Sequence, residues 1–531
     1  MDSEKSERES TSIDPVTLEV LWSQLRTIPE EMGEYFTRTA FSQVIKHGHD
    51  LSTAIFTPDG RLLAQGVYTA GHLGSMPFAM QEILENHFPP EEWNSGDVVI
   101  TNDPHINSGH LNDIFMFEPV IYNGEISGFC VTTAHHLDVG GAAPGSYPIE
   151  VVDMYGEGLQ LPPVKLYESG NINQEVMDII TENSRMSTNI RGDVRAQRAS
   201  TKIGTQRLLD LINEYGVTTI NEYSSEIIDR TEQSIRSNLE SLPNGSYYFE
   251  DKLDGFEEPL PICVEITIDD DTLTVDFEGT ASQLENYSIN STWNYTFAYT
   301  MLAIKTIIDP DTPQTHGTII PITMNAPDES LVNPSPPVPV AAHGVLADYI
   351  QSTINGALHQ VVPGQVPAAA GPSLRLLLKY RDQDKVQYDG YTGGTGARSN
   401  QDGHPAVATS SNIQNTPVEA IEAEYPVLIN EYQMVQDTAG AGKYRGGSST
   451  VREYEFLSPC EIQLIAERFK YAPYGLEGGE KGAKGKGILN PDSQGGTDLP
   501  SKASLTVGDG DILRIFTCGG GGYGEPEERD I

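Results

Sequence analysis

Residues 98–141 read VVITNDPHINSGHLNDIFMFEPVIYNGEISGFCVTTAHHLDVGG. The segment carries a short apolar strand, Val98 to Thr101, that runs into an Asn102-Asp103-Pro104 loop. A β-hairpin follows, with arms Phe115 to Tyr122 and Glu125 to Thr133 turned at Asn123-Gly124, the strongest short-range hairpin signal. Strand mouths therefore present His110, Asp113, His135, His136 and Asp138 within glycine-rich loops. Imidazole and carboxylate gathered in this way can hold a divalent metal or move protons, and no other stretch is as dense in such groups.

Working outward, Asp14-Pro15 predicts a helix start, with an N-cap followed by proline at the first helical position. Leu18, Leu21, Leu25, Ile28, Met32 and Phe36 then recur at helical spacing. Ser52 to Phe56 and Arg61 to Ala64 read as strands joined at Pro58-Asp59-Gly60. Residues 194–242 are helical with a break at Gly216, and strands alternate after Pro243-Asn244-Gly245, as in Ile262, Val264 and Ile266. Asn333 to Pro339 (NPSPPVP) must run extended and marks a lobe boundary or a surface crossing. Helices and strands come in blocks, which predicts an α+β, multi-lobed fold with mixed and antiparallel sheets and a β-rich C-terminal part. The expected division is a polar tail over 1–12, an N-terminal α+β lobe with the metal site over 13–245, a middle α+β lobe over 246–380 and a glycine-rich β lobe over 381–531.

The chain has 531 residues, too many for one hydrophobic core. Its 76 acidic against 33 basic side chains leave a net charge of -43, which argues against nucleic acid or an anionic membrane as partner. The acidic residues are dispersed among recurring apolar ones, so a folded acidic surface suited to a salty cytoplasm is expected, as in a halophile-like proteome. Cys130, Cys263, Cys460 and Cys518 are too sparse for a disulfide framework or a thiolate zinc site, which predicts a reduced, cytoplasmic protein. No window approaches the ~20 apolar residues of a membrane helix, and the polar start, Met1 to Ser12, has no secretory pattern.

His110 and Asp113 are close enough in sequence to share one ion, and His135 joins them if two strand ends are adjacent; the competing reading is histidines that cap loops. His136 alternates to the face opposite His135. Asp138 can orient a histidine by hydrogen bonding. Asp50 is read locally as an acidic strand-entry residue, with a fourth metal ligand as the alternative. Gly71-His72-Leu73-Gly74-Ser75-Met76 reads as a tight turn that can touch substrate. Gly393 to Arg398 (GGTGAR) has the composition of an anion cradle, backbone N–H groups plus one guanidinium, against a plain structural turn. Gly478 to Gly487 fails as a phosphate loop, because Glu480 and Gly487 stand where glycine and Ser or Thr are required. A nucleophile elbow of the Gly-x-Ser-x-Gly type is absent from the sequence. Gly519 to Gly524 reads as a flexible run with no assignable role.

Together, His49-Asp50-Leu51-Ser52, Gly71 to Met76, Asn102-Asp103-Pro104, Gly109 to Asp113, His135 to Gly141, Gly393 to Arg398, Asn415 to Glu419, Tyr444 to Gly447 and the Gly519 to Gly524 run with Pro526 resemble the hydantoinase B family. That family also covers the C-terminal portion of 5-oxoprolinases and a subunit of acetone and acetophenone carboxylases. The resemblance extends from about Asp14 to Pro526; the run Lys46 to His49 before Asp50 departs from the family pattern. It implies a hetero-oligomer with a hydantoinase A-like subunit that binds ATP and phosphorylates an amide or carbonyl oxygen, while this chain handles the activated cyclic amide, N-methylhydantoin or 5-oxoproline in type. It also implies a divalent ion (Mn, Zn or Fe) on His110, Asp113 and His135, with Asp50 as fourth ligand. His136 or His72 would then move the proton, beside Asp138, and Arg398 with Gly394 and Gly396 would hold a substrate carboxylate or phosphate. Carboxylation of a phosphorylated enol and a non-catalytic scaffold are the alternatives, and the length of the chain favours the hydrolase.

The charge density has a direct test. Self-repulsion of the folded state should make Tm rise on going from low salt to molar KCl; equal Tm in both would remove the salt-adapted reading.

Overall fold

A computed structural model of the chain describes residues 13–381, 385–410, 415–491 and 496–529; the expected tail over 1–12 lies outside them. Asp14 caps the first helix, α1 (Pro15–Thr39), its Oδ2 accepting the Thr17 N–H at 2.9 Å. A short helix α2 (Gln43–Lys46) follows. The decisive hairpin forms as read, with β4 (Asp113–Tyr122) and β5 (Glu125–His135) running two residues further toward the loops than expected. They join β1 (Leu51–Phe56), β2 (Leu62–Gln65), β3 (Val98–Thr101), β6 (Val164–Glu168) and β7 (Asn171–Ile172) in a sheet of order β2-β1-β5-β4-β3-β6-β7. All its pairings are antiparallel.

The period-two alternation of β1 and β5 assigns two faces. Ile55 and Cys130 pack with Leu18, Leu21, Leu25, Ile28 and Met32 of α1. That face also carries α5 (Ser187–Tyr215) and α6 (Val217–Glu240), separated by Gly216 at φ +87° and preceded by α4 (Gln174–Glu182). Ala54, Phe56, Phe129 and Val131 point the other way, onto Leu73, Met76 and Met80 of α3 (Ala70–Glu82). Here the expected turn at Gly71 to Met76 is instead helix. A Cβ at Gly71 would stand 2.7 Å from the Tyr295 ring and one at Gly74 2.5 Å from the Ala298 Cα, so these glycines serve close helix packing.

That neighbour is α7 (Trp293–Ile308), which with α8 (Val345–Leu358) covers a second sheet. Its strands β8 (Gly245–Leu253), β9 (Leu260–Asp269), β10 (Thr272–Asp276) and β11 (Ile322–Asn325) lie in the order β11-β10-β9-β8, with β10 and β11 parallel. The remaining strands are β12 (Leu374–Tyr380), β13 (Lys385–Tyr391), β14 (Val427–Met434), β15 (Thr450–Phe456), β16 (Cys460–Ile465), β17 (Lys486–Leu489), β18 (Thr497–Leu499), β19 (Lys502–Val507) and β20 (Ile512–Phe516), with α9 (Val418–Glu424) between β13 and β14. They form two sheets, β13-β12-β16-β19 and β14-β15-β20-β17-β18, which share a core of Leu376, Leu378, Ile462, Tyr454, Phe456 and Leu513. Two expected boundaries need correction. The one at 380/381 separates β12 from β13, whose residues pair from Leu374↔Tyr391 to Tyr380↔Lys385, and the one at 245/246 falls inside β8.

The run Gly519 to Gly522 is buried, not a loose tail end. Its backbone exchanges hydrogen bonds of 2.9–3.0 Å with extended segments at Ala369, Ala397, Gly440, Gly447, Leu476 and Glu480. Chains can gather around one another this closely only where side chains are missing. A Cβ on Gly520 would lie 1.9 Å from the Thr395 carbonyl oxygen, and one on Gly394 2.0 Å from that of Gly447. The bundle also fixes Gly371, whose N–H donates to the Gly394 carbonyl at 2.8 Å, just before β12 begins.

Gly520→Ala should therefore cost about 3 kcal/mol or more, or prevent soluble folding, because backbone must move to admit the methyl group. Gly124→Ala, at φ +87° with open space around it, should cost only about 1 kcal/mol. Paired denaturant melts measure both, and equal losses would contradict the packing argument.

Candidate metal centre

Three strand ends meet on the α3 side of the first sheet. Asp113 opens β4 directly opposite His135, the last residue of β5, and the His135 N–H donates to the Asp50 carbonyl just before β1 at 3.1 Å. His110 enters from the preceding turn, where its carbonyl accepts the Asp113 N–H at 3.3 Å. The first turn of α3 adds His72. Among the described residues, His110, Asp113 and His135 each bring one ligand-type atom to within 4.8 Å of the others. His110 Nε2 lies 2.7 Å from Asp113 Oδ1 and 3.1 Å from His135 Nδ1, and His135 Nδ1 lies 3.4 Å from the same carboxylate oxygen. His72 Nε2 stands 3.1 Å from Asp113 Oδ2.

All four side chains are buried. Burial alone would favour a neutral Asp113, but the facing His110 and His72 imidazoles hold its carboxyl well below the usual range. Burial works against a charge on His72 as well, and there Asp113 prevails and raises its pKa; at His135 burial wins and lowers it. The His110 Nδ1 donates to the Ala341 carbonyl at 3.2 Å, which turns Nε2 toward Asp113 and His135. Two ring nitrogens 3.1 Å apart need a proton or a cation between them. The donor set of two imidazole nitrogens and a carboxylate oxygen fits a divalent ion of borderline hardness such as Mn, Zn or Fe.

These groups line a cavity of about 30 Å³, shared with Asp50, Thr69, Tyr147, Tyr295, Tyr299, His343, Gly344, Arg375 and Tyr388. It has room for roughly one or two water molecules. Asp50 belongs to this wall but outside the tight trio: its Oδ1 accepts from Thr69 Oγ1 at 3.1 Å and lies 3.9 Å from His72 Nε2. The segment Val338 to Gly344 reaches the cavity after the proline run, and Glu157 holds it. One Glu157 oxygen accepts the N–H groups of Val340 and Ala341, both at 2.7 Å, while burial pushes its carboxyl up to about 8 against those two bonds.

Other expected residues sit elsewhere. His136 alternates to the α5 face, where its Nε2 is 3.3 Å from the Gln197 side-chain oxygen, so it does not reach the metal cluster. Asp138 orients no histidine; it accepts from Gly140 N, Gly145 N and the Arg185 backbone and guanidinium, and so shapes the loop after β5. The glycine cradle is also corrected. The N–H groups of Gly394, Thr395, Ala397 and Arg398 all go to protein carbonyls, which leaves none of those four for an anion. Gly396 and Arg398 line a separate cavity of about 320 Å³ with Asp348, Asn355 and His404, while Gly394 is packed within the bundle. Sequence reading missed His343, Arg375 and the four tyrosines. Tyr147 stands just past the motif in the loop after β5, whereas Tyr295, Tyr299, His343, Arg375 and Tyr388 come from α7, the turn before α8, β12 and β13 and carried no signal but chemical type.

The model of the family described as Hydantoinase B/oxoprolinase matches residues 14–526. The uncharacterized protein MJ0963 of Methanocaldococcus jannaschii is 39% identical, over 98% of this chain and 92% of its own length. A Pseudomonas sp. protein, named as the B-type subunit of a D-/L-hydantoinase, is 34% identical, over 98% and 91%. The solved ATP-dependent caprolactamase of Pseudomonas jessenii superposes with a TM-score of 0.91 at 28% identity, covering 98% of this chain and 93% of that one. A family match over nearly the whole length, together with relatives 34–39% identical across it, shows that the chain belongs to the hydantoinase B/oxoprolinase family.

Proposed function

We propose that this chain is the B-type subunit of an ATP-dependent cyclic amide hydrolase and acts with a separate hydantoinase A-like subunit that binds ATP. The observation that carries the proposal is the enclosed cluster of His110, Asp113 and His135, in a family whose members include a protein named as the B-type subunit of a hydantoinase. Substrates of the N-methylhydantoin or 5-oxoproline type fit this reading. Their amide carbonyl is a poor electrophile because resonance gives the C–N bond double-bond character. Phosphorylation of the amide oxygen in the partner would remove that resistance.

His110 Nε2, His135 Nδ1 and Asp113 Oδ1 would hold the divalent ion, with Asp50 on the wall as a further carboxylate. When bound, the ion supplies Lewis acidity toward water and toward the oxygen that gains charge. The other residues set the geometry. Ala341, held by Glu157, fixes the His110 ring through Nδ1. His72 Nε2, paired with Asp113 and raised in basicity, is the group placed to hold and release a proton. His136, on the other face of the sheet, has no part in this step. The small, buried cavity excludes bulk water from an activated intermediate.

His110→Ala should remove stoichiometric metal from the purified chain and lower ATP-coupled ring opening at least ~10³-fold, without loss of assembly with the partner. Full turnover in the variant would refute the metal role, and a requirement for bicarbonate would move the assignment to carboxylation. Glu157 gives a second test. The unfolded carboxyl releases its proton near 4.5 and the folded one near 8. Its stabilising contribution is thus complete below about 4.5 and is lost as pH rises through about 8. Relative to Glu157→Gln, the native chain should lose stability with a slope of up to about 1.4 kcal/mol per pH unit between those values. Parallel slopes in urea melts would contradict the buried neutral carboxyl.

A further inference from the structure

Arg375, on β12, stands out among the cavity-lining groups because its charge has no fixed counterpart. It comes from a different lobe than the metal cluster, yet it lines the same cavity of about 30 Å³. Its side chain is buried, with the residue 7% exposed, and its Nη1 has no hydrogen-bond partner. Among the described residues no carboxylate lies within ion-pairing distance of it, whereas the buried Arg452 of β15 is paired with Asp389 at 2.8 Å. Its electrostatic neighbours are the hydroxyls of Tyr388, Tyr147 and Tyr295, with Asp348 more weakly felt. The fold makes specific room for it. A Cβ on Gly344 would lie 2.9 Å from Arg375 Nη2, and the glycine bundle anchors the segment just before β12.

A guanidinium taken out of water without a carboxylate costs several kcal/mol unless something in the working molecule completes its hydrogen bonds. Charge counting in the cavity points the same way. The wall carries two carboxylates, Asp50 and Asp113. Both already face His72, His110, His135 or Thr69, so neither serves as a counter-ion to Arg375. A planar fork with a free Nη1 suits an oxygen anion, such as a phosphoryl or carboxylate group, held in one orientation. Arg398, the anion binder expected from sequence, is exposed and lines the other cavity.

We infer that Arg375 binds an anionic oxygen of the substrate, phosphoryl or carboxylate, beside the metal cluster. The inference rests on the hydrolase reading above for its setting, but its test does not. Calorimetry on the intact chain, with and without Mn²⁺, measures affinity for inorganic phosphate and for formate. Mn²⁺ broadening of the ³¹P and ¹³C signals reports whether the bound anion is next to the ion. Arg375→Met should bind either anion at least 10-fold more weakly with its Mn²⁺ content and Tm retained. Arg375→Lys, which keeps the charge and serves if the Met variant does not fold, should fall between the two. Tighter phosphate binding assigns a phosphoryl oxygen, and tighter formate binding a carboxylate. If the native chain binds no anion, or the variants bind as well as it does, the inference is overturned. If anions bind through Arg375 but no Mn²⁺ is taken up, the inference stands and the metal reading falls.

Discussion

The cross-strand pairing of Asp113 with His135 is the constraint on which the site depends. Directly opposed residues of an antiparallel pair project to the same face, with side chains a few ångströms apart. A one-residue slip would turn His135 toward α5 and bring His136 into its place. The register is held by the buried rows on both faces, Phe115, Phe117 and Val131 toward α3 and Cys130 toward α1. It is held again at the far end by the Asn123-Gly124 turn, with both residues at positive φ. The chemistry of the site is thus fixed by packing along the whole hairpin.

Burial then gives the cluster its character. In water, two imidazoles and a carboxylate would titrate almost independently. Here His110 and His72 hold the Asp113 carboxyl low against the desolvation that would raise it, while burial lowers the pKa of His135. Deprotonated carboxylate and imidazole are the forms that divalent cations bind, and the shifts of Asp113 and His135 both run in that direction. The same enclosure isolates Arg375 from solvent, so that its charge acts at close to full strength on whatever enters the cavity.

The glycine bundle is the second structural device. Backbone hydrogen bonds set strands about 5 Å apart within a sheet, whereas side chains normally hold extended segments about 10 Å apart face to face. Removing Cβ atoms at Gly394, Gly447 and Gly520 lets several segments surround one central run and satisfy its backbone groups. The bundle ties the segment leading into β12 to the C-terminal strands, which carries Arg375 and Tyr388 to a cavity built by the N-terminal lobe. The interleaving explains why lobe boundaries read from composition cut through β8 and between β12 and β13.

Local chemistry made much of this legible. The hairpin, the Asp14 cap, the helix break at Gly216 and the convergence of His110, Asp113 and His135 follow from turn residues, strand period and loop placement within about forty residues. Readings based on glycine content misled at Gly71 to Met76, at Gly393 to Arg398 and at Gly519 to Gly522, because glycine marks both turns and close packing and only the neighbouring segment distinguishes them. His136 and Asp138 shared the motif of the site residues, but alternation and Arg185 drew them into other contacts. The sequence by itself brought His110, Asp113 and His135 together, since Asp113 and His135 end paired strands whose register is set locally and His110 sits in the turn just before. Only the tertiary structure decided that His343, Arg375 and the tyrosines of α7 and β13 enclose it, because contacts between residues more than a hundred positions apart depend on how separate lobes pack.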